Sequence, residues 1–84
     1  MTLIELIEQE TARLTVAGVS FGHGTDNAFD DAAWMTLWRL GLPLDALDEH
    51  EQDSLTSNQI EQVKHLVDER IKSRKPVNAV AVKF

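Results

Sequence analysis

Leu3, Ile7 and Leu14 recur at the spacing of one helix face, with Ile4 and Leu6 beside them, while Glu5, Glu8, Gln9 and Arg13 fill the other side. An apolar stripe backed by charge predicts an amphipathic helix of about four turns. Thr2 is placed to cap its start, because a hydroxyl there accepts from an amide that the helix leaves unpaired. Gly18 closes it, as the residue that enters the left-handed region at least cost. A second pattern runs from Ala28 to Leu40, with Phe29, Ala33, Leu37 and Leu40 in one stripe and Trp34 and Trp38 one turn apart on the adjacent face. Gly41 ends it by left-handed closure and Pro43 by its missing amide. The third helix is the clearest. Thr56, with Gln59 three residues later, matches a capping box. Ile60, Val63, Val67 and Ile71 then form a stripe that Leu66 widens. Lys72, Arg74 and Lys75 complement the negative end of the helix dipole, and Pro76 stops the helix.

Two loops join these elements. In Phe21-Gly22-His23-Gly24-Thr25-Asp26-Asn27, the glycines on either side of His23 imply backbone angles that other residues find costly. Thr25, Asp26 and Asn27 are three successive capping candidates, and Asp30 and Asp31 put negative charge in the first turn that follows. The stretch from Asp45 to Asp53 holds five carboxylates and His50 within nine residues, and Leu44 and Leu47 are spaced to anchor a short helical turn there. After Pro76, the tail Val77 to Phe84 loses the helical period and is rich in valine, which predicts an extended segment.

Composition narrows the class. Eighty-four residues make one domain, which buries only ~60–65% of the surface its unfolded chain exposes. Fourteen acidic residues against eight basic ones give a net charge of −6. Such a surface repels phosphate backbones, so no direct nucleic-acid partner is expected; a basic protein partner suits it, as does the simpler role of keeping the chain dissolved. There is no cysteine, which excludes disulfides and thiolate metal sites and agrees with a reducing compartment. The opening residues have neither the basic leader nor the apolar core of a signal peptide, and no apolar run approaches the ~20 residues that span a bilayer. The expectation is a cytoplasmic chain without a membrane partner.

Candidate chemistry is sparse. His23 with Asp26, Asp30 and Asp31 reads as a turn plus a helix cap, as a docking surface or as a metal site, although the spacing matches no ligand motif. His50 and His65 fall on separate elements and are expected at the surface. No serine sits in a glycine-flanked elbow. Gly22 and Gly24 follow no strand and lack the third glycine of a dinucleotide fingerprint. Trp34 and Trp38 read as core packing or as an aromatic platform. The run Asp45, Asp48, Glu49, Glu51 and Asp53 reads as a solvated linker or as an attractor for an arginine- and lysine-rich partner. Nothing assembles a nucleophile, a base and an oxyanion site, so no catalytic, cofactor-binding or metal residue is assigned and catalysis by these residues alone is not expected.

The string Phe21-Gly22-His23-Gly24-Thr25-Asp26-Asn27 followed by Phe29-Asp30-Asp31-Ala32 resembles the N-terminal region of the bacterial ribosomal-protein glutamine methyltransferases, relatives of the release-factor methyltransferase HemK. Leu42-Pro43-Leu44-Asp45, Leu55-Thr56-Ser57 and Arg70-Ile71 to Lys75-Pro76-Val77 fit the same region, so the resemblance spans roughly residues 2 to 77. It implies a two-domain enzyme. A small helical domain would precede a Rossmann-like domain that binds S-adenosylmethionine and holds the target glutamine amide with an Asn-Pro-Pro-Tyr motif. Neither that motif nor a glycine-rich cofactor loop is present here, and from Asn78 to Phe84 the sequence departs from the family's alanine-tyrosine-leucine continuation. The resemblance therefore implies a recognition role: holding a large-subunit ribosomal protein as substrate, beside the chain's own catalytic domain.

The expected fold is all-α, a small bundle of three main helices plus one or two short ones. Its core is expected from the Phe29/Leu37, Ile60/Val67 and Leu3/Ile7 stripes. Residues 1–76 form the recognition domain and 77–84 an extended tail or the start of a linker. The docking residues are Phe21, Gly22, His23, Gly24, Thr25, Asp26, Asn27, Asp48, Glu49 and Glu51. The competing expectation is a free-standing acidic helical interaction module with no enzyme attached.

Overall fold

The computed structural model describes residues 1–19 and 27–73, and these form α1 (Leu3–Ala17), α2 (Ala28–Arg39), α3 (Leu47–His50) and α4 (Ser57–Ser73). The three long helices pack against one another, and no strand occurs among the described residues beyond a single antiparallel bridge between Thr2 and Ser54. This is the all-α bundle with one short helix. The tail 77–84, and with it Arg74, Lys75 and Pro76, lies outside the described residues.

Each of the three long helices begins where a side chain satisfies one of its first amides. At α1, Thr2 Oγ1 accepts from the Glu5 amide at 3.3 Å and Glu5 Oε1 accepts from the Thr2 amide at 2.8 Å, a complete capping box. Those bonds hold the Glu5 carboxyl below its ordinary value, with the backbone bond to Thr2 the main cause. The intervening amides go further afield: Leu3 donates to the Asp53 carbonyl and Ile4 to the Glu51 carbonyl, both at 2.9 Å. In return the Leu55 amide donates to the Met1 carbonyl at 2.9 Å. The start of α1 is thereby stitched to the segment between α3 and α4, and its unpaired donors are accounted for. Asn27 caps α2, its side-chain oxygen accepting from the Asp30 amide at 2.9 Å. Thr56 and Gln59 close the box expected at α4, with bonds of 2.9 and 3.1 Å. At the end of α2, Gly41 adopts φ +74° while the Gly41 amide reaches the Trp38 carbonyl and the Leu42 amide the Leu37 carbonyl. That pair of bonds is a Schellman motif.

The core combines Leu3, Leu6, Ile7 and Leu14 of α1, Ala32, Ala33, Met35 and Leu37 of α2, and Val63, Leu66 and Val67 of α4. The expected stripes are corrected at three positions: Phe29 is exposed at 38%, and Leu40 and Ile60 are only half-buried. On α2 the buried residues are Asp31, Ala32, Ala33, Met35, Thr36 and Leu37, so the apolar stripe is buried at Ala33 and Leu37 but not at its two ends, Phe29 in the first turn and Leu40 at the C-cap.

Asp31, expected only as first-turn charge, is fully buried, and its Oδ2 accepts from Nε of Arg70, 2% exposed, at 3.1 Å. Thr36 hides its hydroxyl on the Ala32 carbonyl at 2.7 Å. On α1, Glu10 is also fully buried; Arg13 binds it through Nη1 at 2.7 Å and reaches Asp68 of α4 with its other terminal nitrogen. Glu10 Oε2 has no partner. Burial pushes the Glu10 carboxyl above its ordinary value of 4.5, and Arg13 opposes that shift only in part.

Removing one member of a buried ion pair leaves the other uncompensated at a cost of ~3–5 kcal/mol, whereas replacing both by apolar groups is often neutral. Arg70→Met should therefore lower unfolding stability by about 3–5 kcal/mol, and the double variant Asp31→Leu/Arg70→Met should recover most of that loss in urea denaturation. For Glu10 the raised folded-state value means that the native state holds its proton longer than the unfolded chain. Its penalty is absent below about pH 4.5 and grows as pH rises towards the folded-state value. Glu10→Met should accordingly raise stability at pH 7 by about 1 kcal/mol, on the scale of one relieved unpaired polar atom, and lose that advantage in acid.

Candidate functional site

A groove lies between α2 and the α2–α3 connection. Phe29, Asp30, Ala33, Trp34 and Leu37 form one wall and Leu44 and Leu47 the other, enclosing about 280 Å³. The spacing 29–33–37 aligns the first wall along one helix face. The Schellman turn at Gly41 reverses the chain so that the α2–α3 connection folds back over that face, anchored by Ala46, which is buried. Leu44 remains 49% exposed at the rim. Phe29, exposed at 38%, and Leu44 are the two large apolar side chains of the lining left open to solvent. Trp34 and Trp38 stack with centroids 5.9 Å apart and planes 12° from parallel. Both are half-buried against the core, and Trp34 also lines the groove. Core packing and an aromatic surface thus meet in one residue pair.

Exposed carboxylates neighbour the lining residues along the chain. Asp30 lines the groove and is exposed, Asp45 follows Leu44, and Asp48 and Glu49 follow Leu47 on α3, all three exposed. Glu51 is half-buried and Asp53 is exposed. The backbone of these two is held on α1 through their carbonyls, so the acidic run is not a loose linker. Asp53 Oδ2 also sits 2.7 Å from Nδ1 of His50, and His65 is exposed on α4. Asn27, expected as a docking residue, is exposed and caps the helix whose first turn carries Phe29 and Asp30. The structure therefore brings Asn27 and the pair Asp48 and Glu49 to elements that border one groove, while Glu51 belongs to the junction with α1. Phe21, Gly22, His23, Gly24, Thr25 and Asp26 lie outside the described residues. No group of three histidines, aspartates or glutamates able to hold a metal ion occurs among the described residues, and no helix there is long and apolar enough to cross a membrane.

Phe29 continues an apolar stripe whose later members Ala33 and Leu37 are buried, so its periodicity alone reads as core. A second apolar groove of about 380 Å³, lined by Ala12, Arg13, Val16, Ala17 and Ile71, opens where the ends of α1 and α4 meet. Its one charge is engaged by Glu10 and Asp68.

Comparison with known proteins gives a consistent set of relatives. The chain is 36% identical over 75 residues to a ribosomal protein uL3 glutamine methyltransferase of Burkholderia pseudomallei, covering 89% of this chain and 24% of that protein. It is 39% identical over 75 residues to the protein of the same name from Bordetella pertussis, covering 89% of this chain and 25% of the relative. The Xanthomonas campestris pv. campestris protein of that name gives 39% over 75 residues, with coverage of 89% and 24%. The chain thus spans about a quarter of the length of the curated relatives it matches. No family model matches, and no solved structure does either.

Because Phe29 and Leu44 are partly solvated already, Phe29→Ser and Leu44→Ser should each cost about 1 kcal/mol or less. Urea denaturation compared with Arg70→Met separates groove residues from core residues.

Proposed function

The chain is homologous over 89% of its length to part of the ribosomal protein uL3 glutamine methyltransferases, and from that premise we propose that it is their substrate-docking domain. In this reading it captures a basic large-subunit ribosomal protein in the cytoplasm. The remaining three quarters of such an enzyme supplies the S-adenosylmethionine site, of the kind found in HemK and its relatives, and the transfer of a methyl group to a glutamine side-chain amide. The fragment itself contributes binding and orientation, not chemistry. The observation that carries the proposal is the juxtaposition of exposed carboxylates with an open apolar groove on a chain of net charge −6.

The physics favours this division of labour. Ribosomal proteins are strongly basic, and a surface of opposite sign speeds and orients their approach. Asp48 and Glu49 project from α3 next to the groove, Glu51 lies just beyond, and the loop Phe21–Asn27 leads into α2. All of these are assigned to the side that meets the substrate or the enzyme's own catalytic domain. Rim charges act mainly on encounter rate and are screened by salt, so their contribution is greatest in dilute buffer.

The test uses the complete enzyme with Asp48, Glu49 and Glu51 changed together to lysine. Substrate affinity at low salt should fall about tenfold, with the gap narrowing as salt is raised and the turnover number little changed. Affinity that does not move at low salt removes the electrostatic part of the proposal.

A further inference from the structure

We infer that the α2–α3 groove seats an aliphatic side chain of the docked protein, one flanked in its own sequence by lysine or arginine; this rests on the docking role proposed above. The lining decides the first half. Asp30 is the one charged residue in a groove of about 280 Å³ otherwise lined by Phe29, Ala33, Trp34, Leu37, Leu44 and Leu47. A lining of this kind gains most from an apolar side chain that excludes water from Phe29 and Leu44, the two residues left open.

Charge decides the second half. Asp30 lines the groove, Asp45, Asp48 and Glu49 are exposed on the segment that carries Leu44 and Leu47, and no lysine or arginine lines the groove. An acidic peptide would meet repulsion on entering and a neutral one no steering, whereas a basic one gains both orientation and on-rate. The indole of Trp34 in the same wall offers a face to a lysine or arginine next to the anchor. No strand edge borders the groove among the described residues, so recognition proceeds through side chains and depends on the order basic–aliphatic–basic rather than on main-chain pairing.

The experiment titrates uL3, and then 15-residue peptides tiled along it, into the 84-residue chain while following tryptophan fluorescence. Peptides that bind should share an aliphatic residue with lysine or arginine on both sides, and replacing that residue by serine should weaken binding at least tenfold. Phe29→Ser and Leu44→Ser should each weaken uL3 binding several-fold, whereas Val16→Ser at the other groove should not; circular dichroism confirms that each variant is folded. Binding of uL3 that survives both groove variants, or bound peptides without an aliphatic anchor, overturns this inference while leaving the docking role intact. No binding of uL3 to the wild-type chain overturns the docking role itself, and the inference with it.

Discussion

A carboxylate and a guanidinium buried face to face determine how this small bundle is arranged. Asp31 of α2 and Arg70 of α4 have almost no contact with water and meet at 3.1 Å. In a low-dielectric interior an uncompensated ion is far costlier than an exposed one, and each of these two charges helps to offset the other. The pair ties α2 to α4 inside the bundle. Ala32, Ala33, Met35, Thr36 and Leu37 of α2 are buried with Asp31, and Phe29 in the first turn stays exposed at the end of the apolar stripe.

A second constraint places the charges. The first amides of α1 need acceptors, and carbonyls of Glu51 and Asp53 provide two of them. That stitching pins the acidic stretch by its backbone and leaves the carboxylates of Asp48 and Glu49 free to face solvent beside Leu47. Helix capping and surface electrostatics thus draw on the same short segment. The acidic segment is thereby fixed to the start of α1, while Leu44 and Leu47 beside it line the groove.

Much of the architecture follows from local rules visible in the sequence. Thr2, Asn27 and the Thr56–Gln59 box begin helices, Gly18 and Gly41 end them with positive φ, and Leu3, Ile7, Leu37, Val63 and Val67 lie inside. What periodicity hid is that each long helix carries a charged residue on its buried stripe: Glu10, Asp31 and Arg70. A hydrophobic pattern counts such letters as outward-facing, and for Asp31 and Arg70 the pairing that makes burial tolerable comes from another helix and cannot be seen within one. The acidic run was visible as charge, but its attachment to α1 depends on a backbone pairing some fifty residues apart in sequence.

The account's central claim is that the outer side of α2 together with α3 is where a basic ribosomal protein docks. Backbone amide chemical-shift mapping of the chain on addition of uL3 tests it most directly. The account predicts perturbations concentrated on Asn27 to Leu37 and Leu44 to Glu51, with Ala12 to Ala17 and Ile71 unmoved. Perturbations centred on the groove between α1 and α4, or none at saturating uL3, would contradict it.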